Sequence, residues 1–318
     1  MKIQASKKQW IKFGVVLALY LAFIIWLQSW LGIVVIPFIF DAYITKLIPW
    51  TWWKNSENGM VKSVMSWVDA IVFALVAVYF VNLYFFQNYV IPSSSLEKSL
   101  LAGDYLFVSK MSYGPRVPQT PLHMPLTQHT LPVFNCKSYA EWLQWDYKRV
   151  EGTGEVKLND IVVFNFPAGD TVATKVPAED LYRLSYQAGQ QLSKPVDFSK
   201  LTVEQEYINE HPETYGEIVE RPVDRRENYV KRCVGMPGQT LEIMDRIVYL
   251  DGQPNKEPDE VQYRYLVYTN GMLPLDFCHE WGISQEDLMM YYAQESVYNM
   301  PLTAKAKAAL LGRKDLVK

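Results

Sequence analysis

The chain has 318 residues, enough for one large domain or two ordinary ones. A formal net charge of −3 excludes a nucleic-acid binder with a broad basic face. Hydrophobic residues make up 49 % of the chain, yet the mean hydropathy is only −0.07. The average hides a strongly apolar part before about residue 91 and a soluble-protein composition after it.

From Phe13 to Phe40 there is no charged residue. A membrane crossing takes roughly 20 apolar residues, so this run is long enough to cross once and too short to cross twice. Pro37 can kink its end, and Trp50, Trp52 and Trp53 in the loop beyond form an interfacial aromatic belt. The run is too long for the apolar core of a cleaved signal peptide, and no small-residue cleavage site follows. A second apolar window runs from Ala70 to Phe86, interrupted by Asn82 and entered near Asp69. Counted from Val64 to Val90 it is a second spanning helix; a buried core helix is the bland alternative.

Two crossings put the N-terminus and everything after residue 91 on one side. Lys2, Lys7, Lys8 and Lys12 precede the first span, against Lys46, Lys54 and Lys62 in the connecting loop. That small excess leans toward an N-terminus inside.

From Tyr105 the pattern becomes short runs of β-branched and aromatic residues. They are Tyr105–Val108, Asp160–Phe166 stopped by Pro167, Asn228–Val230, Leu241–Ile243 and Arg246–Leu250. Asp251–Gly252 after the last is a hairpin signal. The runs do not alternate regularly with helices, which argues for an antiparallel rather than a βαβ sheet. Two long insertions separate them, about 114–155, with five prolines, and about 176–226, charged and partly helical. The tail after about residue 283 reads as helical, with a loose capping box at Ser284–Asp287 and a short run from Lys305 to Leu311 closed by Gly312. The expected fold is therefore mostly β and membrane-anchored. Residues 1–63 hold the first transmembrane helix (about 13–40) and a loop, 64–91 the second, and 92–318 an antiparallel β domain.

Cys136, Cys233 and Cys278 are odd in number, far apart and without CxxC spacing, so they read as plain thiols rather than a zinc site or disulfide framework. His123, His129, His211 and His279 all lie in insertions or the tail, which disfavours a Ser-His-Asp triad. No HExxH, GxGxxG or GxxxxGK[ST] occurs. Lysine can replace histidine as the base for a serine. Such a lysine must be neutral, and burial against apolar side chains favours the neutral form. Lys231, in Tyr229-Val230-Lys231-Arg232-Cys233-Val234-Gly235, sits on an apolar strand as that requires. An edge-strand cation beside Arg232 is the bland reading of the same residue. Ser93, Ser94 and Ser95 follow the second apolar run directly; the bland reading is a turn and a helix cap behind Pro92.

Taken together these stretches resemble the type I signal peptidases. Ile91-Pro92-Ser93-Ser94-Ser95-Leu96 is similar to the family's serine motif. Gly103-Asp104-Tyr105-Leu106-Phe107-Val108-Ser109-Lys110, with Tyr113-Gly114, is similar to its next block. Asn159-Asp160-Ile161-Val162-Val163-Phe164 resembles a strand usually opened by Gly-Asp, and Tyr229 to Gly238 resembles the lysine motif. The resemblance implies Ser95 as nucleophile, Lys231 as general base, and an oxyanion hole made by the Ser93 side chain and the Ser95 N–H. It implies a signal-peptide substrate added as a strand between Val90-Ile91-Pro92 and Asn228-Tyr229-Val230, cut after small residues at the bilayer surface. Strand packing and nearby lipid would together bury Lys231. It implies no cofactor, metal or nucleic acid, and a multi-pass protein of the plasma (inner) membrane whose domain faces the periplasm or exterior, against the lysine count.

The sequence departs from the family pattern at three places. Leu96 stands where methionine is usual, and Lys98-Ser99 where Pro-Thr is usual. The Gly-Asp-Asn-Arg block expected after the lysine motif is not found. The chain then reads as a C-terminally incomplete peptidase or a degenerate member, and the intact serine and lysine motifs favour the first. Two other readings compete: a non-catalytic membrane-tethered β domain that binds exported proteins, and a self-cleaving repressor, which would need a helix-turn-helix in place of the apolar spans.

Overall fold

The computed structural model describes residues 5–131, 133–134, 136–177, 179–191, 202–258, 260–284 and 296–318. Helix accounts for 39 % and strand for 21 %, so the expected mostly-β class is corrected to a mixed α and β protein. The helix lies mainly in the apolar N-terminal region and the second insertion, as expected, and the strands, two to seven residues long, are too short to make the chain mostly β.

The first apolar run is not one helix. Helix α1 (Lys7–Trp26) starts at Ser6, whose hydroxyl caps Gln9 N–H while the Gln9 side chain returns to Ser6 N–H. A 3₁₀ turn (Trp30–Val35), a short helix α2 (Ile36–Phe40) and a π turn (Asp41–Thr45) follow. The break falls at Gln28, at φ 50°. Asp41 closes the π turn: it accepts from Thr45 Oγ1, the N–H groups of Leu47 and Ile48, and Trp50 Nε1. Helix α3 (Gly59–Tyr84), capped by Asn58, takes up the second run. Its chain does not stay helical to Val90, as the apolar pattern suggested; Phe86–Val90 is strand β1. β-branched and aromatic residues pack as well on a strand as in a span, so hydropathy does not mark the switch. Two helices, α1 and α3, are long and apolar enough to cross a membrane, and almost none of their apolar surface is buried by the protein.

The chain packs into two compact units. The first holds residues 1–89, 106–156 and 162–230; the second holds 90–105, 157–161 and 231–318.

In the first unit Phe23 of α1 meets Phe80 and Tyr84 of α3 edge-on, at 6.4 and 5.4 Å between ring centres. Leu27, Tyr84, Val117 and Val150 bury a small core beside them. The proline-rich insertion is extended; its two-residue strands β3 (Arg116–Val117) and β4 (Lys148–Arg149) pair, and isolated antiparallel bridges join His123 to Tyr139 and Thr130 to Lys137. Strands β2 (Tyr105–Ser109) and β5 (Ile161–Asn165) coincide with expected runs. β1 pairs with β2. The charged insertion forms β6 (Thr171–Ala173), the helices α4 (Leu181–Gln191), α5 (Thr202–Glu210) and α6 (Pro212–Tyr215), and β7 (Ile218–Glu220) paired antiparallel to β6. Ala173, Leu181, Leu184 and Ile208 make its core. β8 (Asn228–Arg232) pairs with β5.

In the second unit β9 (Leu241–Met244), β10 (Ile247–Leu250) and β11 (Gln253–Pro254) form an antiparallel sheet. Asp251 and Gly252 turn the β10–β11 hairpin at φ 51° and 78°, the left-handed pair that the Asp-Gly signal predicts. A second module packs β12 (Gln262–Tyr268) antiparallel on β13 (Val297–Thr303), with α7 (Leu275–Glu280) and α8 (Ala304–Gly312). Val267, Phe277, Met300, Leu302 and Leu310 are in its core. Among the described residues of the tail, Val297–Thr303 is therefore strand where helix was expected, and the run ended by Gly312 is helix. The capping box expected at Ser284–Asp287 lies outside the described residues. The cysteines are free thiols: Cys136 exposed, Cys233 half-buried, Cys278 buried.

Candidate active site

Ser95 and Lys231 both belong to the second unit. The chain leaves β1, and Ile91 closes a loop on itself: its N–H donates to Asp104 O at 2.9 Å and its carbonyl accepts from Gly103 N–H at 2.8 Å. Gly103 sits at φ 94°, a left-handed conformation that costs side-chain-bearing residues energy. The Asp104 carboxylate accepts from Leu101 N–H at 2.8 Å. Gly-Asp is needed there for a backbone reason: it shapes the loop that presents the serines. Ser93 is extended, and Ser94–Leu96 form a single 3₁₀ turn. Ser93, Ser94 and Ser95 are all exposed.

On β8, side chains alternate between the two faces, so Tyr229 and Lys231 are exposed where Asn228, Val230 and Arg232 are half-buried. Lys231 Nζ donates to Ser95 Oγ at 2.6 Å. Its neighbour Arg232 holds the register. One guanidinium nitrogen donates to Asn159 O and the other to Ser99 Oγ, each at 2.8 Å. Cys233 N–H donates to Asp160 O at 2.8 Å, and Asn159 N–H to Cys233 O at 2.7 Å. Arg232 therefore ties the lysine strand to the segment just after the serine turn, a role that the sequence analysis did not assign to it.

Burial of Lys231 by strand packing is corrected: the side chain is exposed. The alternation that aims it at Ser95 also aims it away from the strand's covered face.

The asparagine that opens the Asn159-Asp160 strand and one of the three departures, Lys98, have local explanations. Asn159, where glycine is usual, adopts φ 71°, a conformation that asparagine tolerates better than other side chains. Asn159→Val is accordingly expected to lose about 1–2 kcal/mol of stability, because a β-branched residue is poorly accommodated at that φ, whereas Asn159→Gly is expected to lose none; thermal melting of both variants checks this. Lys98, where proline is usual, sits at φ 71°, a value that a proline ring forbids. Its ammonium donates to Gly282 O at 2.5 Å, and the next residue, Ser99, receives Arg232. Positive φ and a long-range partner leave no trace in a one-residue sequence reading.

The residues expected to flank a substrate strand divide between the units. Val90 and Pro92 are exposed and Ile91 is buried, in the second; Asn228, Tyr229 and Val230 are in the first. Within the first unit Tyr229 stacks on Phe166 with ring centres 4.2 Å apart and planes 5° from parallel. Asn228 Oδ1 accepts from Asn165 Nδ2 at 3.3 Å.

A lysine amine in contact with a serine hydroxyl is an arrangement in which lysine can stand in for histidine as the base. The family model described as signal peptidase, peptidase S26, matches residues 64–291, and the chain belongs to this family. It is similar to Signal peptidase I of Helicobacter pylori (strain ATCC 700392 / 26695), 43 % identical over 56 residues, 18 % of each chain. It is also similar to Probable signal peptidase I-1 of Synechocystis sp. (strain ATCC 27184 / PCC 6803 / Kazusa), 34 % identical over 67 residues, 18 % of this chain and 34 % of that one. The chain thus aligns with about a fifth to a third of the length of these curated relatives. No solved structure matches it.

Proposed function

We propose that this chain is a membrane-anchored serine endopeptidase that removes signal peptides from exported proteins, with Ser95 as nucleophile and Lys231 as general base. The observation that carries the reading is the 2.6 Å contact between Lys231 Nζ and Ser95 Oγ, made by two family-like motifs 136 residues apart. In the neutral state the amine takes the hydroxyl proton as Oγ attacks the scissile carbonyl carbon. The resulting oxyanion is held by the Ser93 hydroxyl and the Ser95 N–H. Collapse breaks the C–N bond, and Lys231 returns the proton to the leaving amine of the mature protein. Water, deprotonated by the same amine, then hydrolyses the acyl-enzyme and restores Ser95. No cofactor or metal is required by this sequence of steps. Because Lys231 is exposed, the substrate strand or the membrane surface has to displace water from it before it works as a base.

The substrate is expected to bind extended, through backbone hydrogen bonds to Val90–Pro92 and Asn228–Val230. The test is cleavage of a preprotein by the purified full chain in detergent, with sequencing of the product's new N-terminus. No cleavage by a well-folded chain would favour the other reading, a tethered domain that binds exported proteins without cutting them. Ser93→Ala is expected to lower the rate roughly 10²–10³-fold, the effect of one lost oxyanion donor, leaving KM nearly unchanged. A topology follows from the substrate: residues from 92 onward on the outer face and the loop of residues 41–63 in the cytoplasm. A reporter active only outside the cytoplasm, fused after residue 260, is expected to be active; an inactive but expressed fusion would overturn both the orientation and the peptidase reading.

A further inference from the structure

The first unit contains a cavity of about 730 Å³ that the proposed chemistry does not use. Its wall is made partly by Tyr79, Asn82 and Leu83, from the last two turns of α3, and partly by β1, β2, β5 and the insertion. Four cations face it (Lys110, Arg116, Arg149 and Arg225) against two carboxylates (Asp224 and Glu227), with His123 and the tyrosines 79, 89, 113 and 147 as the other titratable groups.

The charges are unevenly matched. Glu227 is taken up by His129, at 2.8 Å, and Arg221, at 3.7 Å. Arg225 lies 3.7 Å from Asp224 and donates to Thr120 Oγ1 at 2.7 Å. Arg149 donates to Gly114 O. Among the described residues the hydrogen bonds of Lys110 and Arg116 go to neutral groups, Lys110 Nζ donating to Gln87 Oε1 at 2.9 Å and Arg116 Nη2 to Asn165 Oδ1 at 2.6 Å, while the Asp224 carboxylate acts on Arg116 from beyond ion-pair distance. Neither forms an ion pair among the described residues. Burial, with Arg116 close by, pushes Lys110 down to about 8. Two half-buried cations that repel each other favour an anion between them. At the acidic side, Asp224 Oδ1 is buried and receives no hydrogen bond from the described residues, although Oδ2 receives two from Thr120.

Helix α3 fixes the depth. Its 26 residues rise about 39 Å at 1.5 Å each, more than the roughly 30 Å of bilayer hydrocarbon, so its last turns emerge among lipid phosphates. We infer that this cavity is a phospholipid headgroup site: Lys110 and Arg116 take the phosphate, and a headgroup that ends in a hydrogen-bond donor reaches Asp224 Oδ1. The site does not include Ser95 and does not depend on the peptidase reading; it depends on α3 spanning a bilayer.

The test uses the full chain in mixed micelles with phosphatidylglycerol, which offers both a phosphate and terminal hydroxyls. Phosphatidylglycerol is expected to raise the melting temperature and to remain bound in native mass spectrometry. Phosphatidylcholine, whose headgroup has no donor, is expected to bind at least about tenfold more weakly. The double variant K110Q/R116Q is expected to lose at least about tenfold in affinity and K110R to keep it. Affinity is expected to fall as the pH rises through about 8, where free Lys110 loses its proton. A photoactivatable phosphatidylglycerol is expected to label peptides of β2 and β5, a readout on the unmodified chain that stands even if the double variant misfolds. Glycerol phosphate binding as tightly as the lipid would overturn the lipid assignment. Unchanged affinity in a folded K110Q/R116Q, or labelling confined to α1 and the outer face of α3, would overturn the site.

Discussion

Ser95→Ala is expected to abolish preprotein cleavage, by at least about 10⁴-fold, while expression and membrane insertion stay intact. The variant removes the atom that forms the acyl-enzyme and that Lys231 Nζ meets at 2.6 Å. Ser95 is exposed, so losing Oγ opens no cavity and is expected to change stability by less than about 1 kcal/mol. The neighbouring Ser94→Ala is the control, expected to stay within a few-fold of the parent. Both are checked by single-turnover cleavage with melting curves on the same samples. Near-parental turnover by Ser95→Ala would move the nucleophile elsewhere and dissolve the pairing with Lys231.

Lys231→Arg is expected to be equally inactive, and it separates two roles that the contact geometry alone leaves together. If Lys231 only orients the hydroxyl by donating to it, a guanidinium also donates and a good part of the rate survives. If it is the base it must give up its proton first, and arginine does not do so at any usable pH. A loss of more than about 10³-fold with an unchanged melting temperature supports the base. Ser95→Ala/Lys231→Arg is expected to be no worse than either single variant, because each alone already removes the shared step. A Lys231→Arg chain that cleaves at a near-parental rate would end the Ser–Lys assignment.

Much of this site was legible along the chain because its parts are local. Pro92-Ser93-Ser94-Ser95 and Tyr229 to Gly238 are contiguous motifs, and the five expected runs all contain strands. Asp251–Gly252 announced its hairpin because two consecutive left-handed residues have few occupants. Element boundaries were misjudged where hydropathy does not distinguish conformations. Phe86–Val90 reads as the end of a membrane helix and is a strand, while the break at Gln28 interrupts an apolar run without any glycine or proline to mark it.

The sequence by itself determined the chemistry on offer, a serine behind an apolar helix and a lysine on a β-branched strand, because residue type and short-range periodicity are properties of neighbours. Only the tertiary structure decided that Lys231 reaches Ser95, that Arg232 and Ser99 hold the two segments in register, and that Lys231 stays exposed. Those outcomes depend on strand pairing and side-chain alternation between segments 136 residues apart, and a one-residue shift of register would turn Lys231 to the opposite face of β8.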